Sequence, residues 1–257
     1  MSIKFTLLGC GSSMGVPRID GFFGKCNPKN KKNYRTRCSA LISSKKKNIL
    51  IDTSPDLRQQ LIKNKIANIN SVFYTHYHAD QTHGINDLRA FFLKNKTQIP
   101  VYCDKQTMNF LTSNFKYCFV NFKGYPAILK INSLKKVHSF DSKNNNIRIE
   151  YFEVKHGFIN SLGYLINKKC AYISDVNEIY KKDFKKLFGI KTFVVDCLKF
   201  KKHPTHFNLN EVLSLVEKLK PKKTILTNLH TDLDYDELKR KLPKNVIPAY
   251  DGLSFNI

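Results

Sequence analysis

VFYTHYHADQTHGINDLR, residues Val72–Arg89, is the stretch from which the rest of the chain can be read. Val72–Thr75 has the apolar, β-branched and aromatic make-up of a buried strand, and it runs without a break into His76, His78, Asp80, Gln81 and His83. Gly84 interrupts the run, and an amphipathic helix is expected from about Asn86. Two imidazoles at i and i+2 followed by a carboxylate at i+4 bring nitrogen and oxygen donors close together on a turn. That donor set suits zinc, and manganese or iron nearly as well. Three of the chain's eight histidines fall within these eight positions, which an ordinary scatter of surface or core histidines does not explain.

The run is similar to the T-H-x-H-x-D-H-x-x-G signature of the metallo-β-lactamase-fold hydrolases. The likeness extends from LGCGSSMGVPR (Leu8–Arg18) to PAYDGL (Pro248–Leu253). Within that superfamily the chain resembles the phosphoribosyl cyclic phosphate phosphodiesterase branch. The resemblance implies an α/β fold, the αββα sandwich of two facing mixed sheets flanked by helices, with the site at one edge. It also implies two divalent metal ions, zinc or manganese. His76, His78 and His156 would hold the first, Asp175 would bridge both, and Asp80 would belong to the second.

The second position is where this sequence departs from the family. Relatives complete it with two histidines, and Gln81 and Asn228 stand there instead. Each has a histidine two residues downstream, His83 and His230. Residues 228 and 230 of a strand share a face, and residue 83 lies one helical turn from residue 80, so one expectation is a relocated site of Asp80, Asp175, His230 and His83. The alternative is that His83 caps or supports the helix and that Gln81 leaves the site weak, because amide oxygens are poor zinc ligands though acceptable to manganese.

Further roles follow from the same resemblance. With two metals about 3.5–4 Å apart, a bridging water becomes a hydroxide near neutral pH and attacks phosphorus in line. Asp80 and His206 are the catalytic candidates: His206, in KKHPTHFNLNE (Lys201–Glu211), corresponds to the histidine that protonates the leaving group, with His203 a weaker substitute. Asp52 and Asp56 correspond to the aspartates of an I-D-x-x-x-D-x-R stretch, where a carboxylate accepts the free N–H of a metal-bound imidazole. Tyr34, Arg37 and Arg89 are candidates for phosphate contacts. The implied function is hydrolysis of a small, cyclic phosphodiester of a sugar or nucleotide. The rivals are a tRNA-processing or other RNA nuclease of the same fold, and a catalytically weak metal-bound binding protein.

Composition fits these expectations. At 257 residues with no repeat or linker-like shift, residues 1–257 read as a single domain. Seven cysteines at irregular spacing suit a reducing compartment. Cys26 and Cys38, the pair that could hold a structural zinc as in some relatives, read as thiols without a C-x-x-C. No run approaches the roughly 18 apolar residues of a membrane span, and no signal peptide is legible, so a cytoplasmic protein with no membrane partner is expected. The formal charge of +24 comes from 37 lysines and 7 arginines against 20 acidic residues. Scattered with many asparagines and isoleucines, the lysines follow the pattern of an AT-rich coding sequence, and Lys45–Lys47, Lys181–Lys186 and Lys199–Lys202 read as solvated faces. Their summed field would still attract phosphate-bearing substrates and bind nucleic acid nonspecifically. Association as a homodimer stays open.

Local patterns give the remaining elements. Strands are expected at Ile3–Leu8, Ser39–Ile42, Asn48–Ile51, Pro100–Cys103, Ala127–Ile131, Ile147–Val154, Leu162–Ile166, Cys170–Ile173, Thr192–Val195, Thr224–Thr227 and Leu253–Asn256, with a polar loop at Asp141–Asn146. Helices are expected from a Ser54 cap to Asn64, with Leu57, Leu61 and Ile62 buried, and at Gln106–Phe119, Asn177–Phe188, Asn208–Leu219 and Tyr235–Leu242.

Overall fold

The computed structural model describes residues 3–140 and 146–257, so all of the Asp141–Asn146 loop except Asn146 lies outside the described residues. In chain order the strands are β1 (Lys4–Gly9), β2 (Ser39–Ser43), β3 (Asn48–Ile51), β4 (Ser71–Phe73), β5 (Ile99–Tyr102), β6 (Leu129–Asn132), β7 (Val137–Phe140) and β8 (Ile147–His156). They continue with β9 (Ile159–Ile166), β10 (Cys170–Ile173), β11 (Glu178–Ile179), β12 (Thr192–Asp196), β13 (Lys223–Thr227), β14 (Val246–Pro248) and β15 (Ser254–Asn256). The helices are α1 (Leu57–Lys63), α2 (Ala79–Thr82), α3 (Arg89–Asn95), α4 (Lys105–Asn114), α5 (Lys116–Phe119), α6 (Phe184–Leu187), α7 (Leu209–Leu219) and α8 (Tyr235–Lys241).

Two sheets result, in the orders β15-β1-β2-β3-β4-β5-β6 and β11-β8-β9-β10-β12-β13-β14, with β7 also paired to β8. Strand alternation sorts the apolar side chains into layers: Phe193 and Val195 of β12 face the outer helices, while Val194 faces the other sheet. The layer between the sheets joins Phe5, Ile42, Ile51 and Phe73 to Tyr164, Tyr172, Val194 and Ile225. Helices α1, α3, α4 and α5 cover the first sheet, and α6, α7 and α8 cover the second. This is the expected αββα sandwich. Among the described residues no helix is long and apolar enough to cross a membrane.

Several local expectations need correction. The hydroxyl of Ser54 accepts from Asp56 N at 3.1 Å and so shapes a turn, which delays α1 to Leu57; Ile62 is 62% exposed rather than buried. The helix expected over Gln106–Phe119 breaks at Phe115, where φ is −120°, into α4 and α5. Asn177–Phe188 is mostly not helical: Asn177 N donates to Lys155 O and β11 pairs with β8, so only Phe184–Leu187 forms a helical turn. Strands β7 and β14 gave no readable signal.

The topology places a site. β8, β10, β12 and β13 run in one direction, because β9 is antiparallel to both β8 and β10 while β12 and β13 continue parallel. Their carboxyl ends therefore share an edge, the usual place for ligands in such sheets. β4 brings the histidine run to the same edge, where Leu162 N of the second sheet donates to Thr75 O at 2.9 Å.

Candidate active site and metal centre

Three imidazoles converge at this edge. His76 Nε2 lies 3.0 Å and His156 Nε2 3.4 Å from His78 Nδ1. Their other ring nitrogens are committed elsewhere: His76 Nδ1 to Thr75 Oγ1 at 3.0 Å, and His156 Nδ1 to the Thr205 carbonyl at 2.8 Å. Protons on those nitrogens leave Nε2 of both rings as a lone pair aimed inward. Burial lowers the pKa of all three histidines, that of His76 to about 3, so the rings are neutral and able to ligate near neutral pH. With His78 Nδ1 beside these two lone pairs, three imidazole nitrogens converge on one point, a donor set that fits zinc or manganese. His156, Asp175 and His206 form an adjoining donor group.

His206 is held by Asp196, a carboxylate at the end of β12 that sequence reasoning missed. Nδ1 lies 2.6 Å from Asp196 Oδ2, which also accepts from Val176 N at 3.0 Å. Burial works against the imidazolium, but the charge and hydrogen bond of Asp196, joined by the charges of Asp175 and Asp80, outweigh it and raise His206 to about 9. A carboxylate closing an apolar strand, FVVD, was the available signal, the same one that Ile173-Ser174-Asp175 gives. The cavity these groups share has a volume of about 510 Å³. Ser12, Ser13, Lys199 and His203 also line it, so Lys199 is not merely part of a solvated face.

A beta-lactamase superfamily domain matches residues 47–228. The chain belongs to that superfamily. It is 30% identical, over all of its own length and 98% of the other chain, to a solved structure described as a new diphosphatase from the PhnP family, with a TM-score of 0.88. Zn(2+)-bound PqqB from Methylobacterium extorquens shares the fold at a TM-score of 0.76 and 16% identity, covering 99% of this chain and 100% of that one. The chain is also 29% identical to an octanoyltransferase of Porphyromonas gingivalis, over 98% of its own length. It spans about half (51%) of the length of that curated relative. The site therefore sits at the sheet edge of a domain with the metallo-β-lactamase fold.

The expected residues of this superfamily site are only partly brought together. His76, His78, Asp80, His156, Asp175 and His206 all reach the edge. His83 does not: it ends α2 exposed, with Nδ1 3.0 Å from Thr82 Oγ1 and its ring 5.3 Å from that of Phe115. His230 lines the cavity but belongs to neither donor group, its Nδ1 lying 3.3 Å from Thr231 Oγ1 and 3.7 Å from Asp232 Oδ1. The reason is that β13 ends at Thr227 and Asn228 adopts φ +60°, so residues 228 and 230 no longer share a strand face. Asp52 does not bond an imidazole directly. It binds Thr75 through N at 2.7 Å and Oγ1 at 2.9 Å, and Thr75 in turn meets His76.

The three phosphate-contact candidates lie elsewhere. Arg37 is bound by Asp56 at 3.1 Å and, with Tyr34, lines a neighbouring cavity; Arg89 lines an apolar hollow beside Tyr125. Gln81 and Asn228 touch the acidic groups directly: Gln81 Nε2 is 3.2 Å from Asp80 Oδ2 and 3.2 Å from Asp175 Oδ2, and Asn228 Nδ2 is 3.3 Å from Asp175 Oδ1. All seven cysteines are buried and free. Cys26 Sγ meets the Thr231 carbonyl and Cys38 Sγ the Gly11 carbonyl, so the two do not face a common metal.

Proposed function

We propose that the protein is a metal-dependent phosphodiesterase acting on a small, cyclic phosphodiester of a sugar or nucleotide. The observation that carries this reading is that His78 and His156 of the histidine cluster share one cavity of about 510 Å³ with His206, whose Nδ1 lies 2.6 Å from Asp196 Oδ2. A divalent cation held by His76, His78, His156 and Asp175 would supply Lewis acidity toward phosphoryl oxygens and make water acidic near neutral pH. His206 holds its proton within the same cavity, where it can be passed to a departing alkoxide. Lys199 lends positive charge to the wall, suited to an anionic substrate. The volume suits a nucleotide-sized molecule rather than a polymer.

The test is turnover by protein reconstituted with manganese or zinc, using bis(p-nitrophenyl) phosphate, a 2′,3′-cyclic nucleotide, a structured precursor tRNA and an octanoyl thioester. Hydrolysis of both diesters is expected. Cleavage of the RNA alone would make the protein a nuclease, turnover of the thioester alone would make it an acyl hydrolase, and no turnover of any would leave a binding protein.

A further inference from the structure

Beside the histidine cluster lies a second position bounded by acidic oxygens, those of Asp80 and Asp175. Asp175 is 3% exposed and Asp80 is half-buried on the cavity wall, and two carboxylates set this close need a cation or donated hydrogens between them. Here hydrogens are supplied. Nε2 of Gln81 stands 3.2 Å from Asp80 Oδ2 and 3.2 Å from Asp175 Oδ2, so its two amide hydrogens are divided between the carboxylates. Nδ2 of Asn228 takes the other oxygen of Asp175 at 3.3 Å and the Ser174 carbonyl at 3.1 Å.

An amide nitrogen has no lone pair to give a cation, and turning the Gln81 amide over would set its carbonyl oxygen against two carboxylates. The acceptors therefore fix its orientation. Gln81 bears a cost for it: its Oε1 is buried with no hydrogen-bond partner. Asn228 is held over Asp175 by a left-handed backbone, φ +60°, which asparagine tolerates better than most residues. Neither downstream histidine makes up the loss, since His83 and His230 turn to Thr82 and Thr231.

We propose that the centre holds a single divalent cation, at His76, His78, His156 and Asp175, and that Gln81 and Asn228 close the neighbouring position with hydrogen bonds. The proposal rests on the metal-dependent reading of the site but not on the choice of substrate. Asp80, one oxygen held by Gln81, then lines the cavity wall without being a ligand.

The experiment counts ions per chain by inductively coupled plasma mass spectrometry, on protein purified without chelator, saturated with manganese and desalted. The wild type is expected to retain one ion, Asp80→Asn also one, and the Gln81→His/Asn228→His double variant two. Histidine is among the residues that accept the left-handed backbone at position 228. Electron paramagnetic resonance of the manganese-loaded wild type needs no variant: an isolated ion is expected, and an exchange-coupled pair overturns the proposal. So do two ions in the wild type, loss of the ion in Asp80→Asn, or one ion in a double variant shown to be folded by circular dichroism. If the double variant does not fold, the wild-type resonance decides. A wild type that binds no ion would overturn the metal-dependent reading as well, whereas two ions would leave it standing.

Discussion

With alanine in place of His206, an unactivated cyclic diester loses the proton source for its leaving alkoxide, and kcat is expected to fall by about 10²–10⁴. Bis(p-nitrophenyl) phosphate, whose leaving group departs as a stable anion, should lose far less; equal losses on both substrates would count against an acid role. The pH dependence follows chiefly from Asp196, with Asp175 and Asp80 adding to it. His206 is raised to about 9 from an ordinary 6.5, so the acid form is present below that range and activity should decline as pH rises through about 9. Asp196→Asn should move that decline toward lower pH, read from kcat against pH. Thr75 offers a second test, because its hydroxyl passes the hold of Asp52 on to His76. Thr75→Ala should weaken metal binding by about 10–100-fold in chelator competition. His76, His78, Asp80, His156 and Asp175 could be read from sequence, since donor residues crowd the ends of apolar runs, and His206 through the resemblance of its stretch to the family's. Asp196 carried the same signal by closing FVVD, but its hold on His206, ten residues on, and that of Thr75 on the adjoining His76 could not be read, because only the folded turns orient those partners.

At the scale of elements, α7 shows why some segments were legible. Val212, Leu215, Val216 and Leu219 repeat at helical spacing and are all buried, and Asn208 with Glu211 forms a reciprocal cap, each side chain bonding the other's backbone N–H at 3.0 Å. Asn208→Ala should therefore cost about 1 kcal/mol of stability in urea unfolding, with the helix otherwise retained. Asn177–Phe188 has comparable apolar spacing but follows the site residue Asp175, and pairing of Glu178 and Ile179 with the edge of β8 outweighs a helical propensity that is weak in so short a piece. Pairing also explains β7 and β14. Both are edge strands of three or four residues whose partners, not their own composition, make them strands. The failed extension of β13 matters most for chemistry, because a left-handed Asn228 sends His230 away from the acidic pair and leaves the asparagine there instead.

Across the whole molecule, layer order and the position of the site were legible because three apolar layers need two alternating sheets and two sets of amphipathic helices, and the strand ends kept delivering donor residues to one edge. What composition could not give was where the excess charge acts. With 44 basic against 20 acidic residues, the surface field extends beyond any one side chain, yet among the described residues Lys199 is the lysine that lines the site cavity, while Lys45 and Lys46 sit exposed on the turn between β2 and β3. Long-range attraction speeds encounter with an anionic substrate, and salt screens it over about 10 Å at 0.1 M. The kcat/KM for an anionic diester should accordingly fall severalfold, on the order of 10-fold at most, between low and physiological ionic strength, while kcat stays constant. Lys199→Glu should flatten that dependence and lower kcat/KM at low salt, and Lys46→Glu should change it little. A salt dependence removed equally by either substitution would mean that the total charge, rather than its placement at the cavity, steers the substrate.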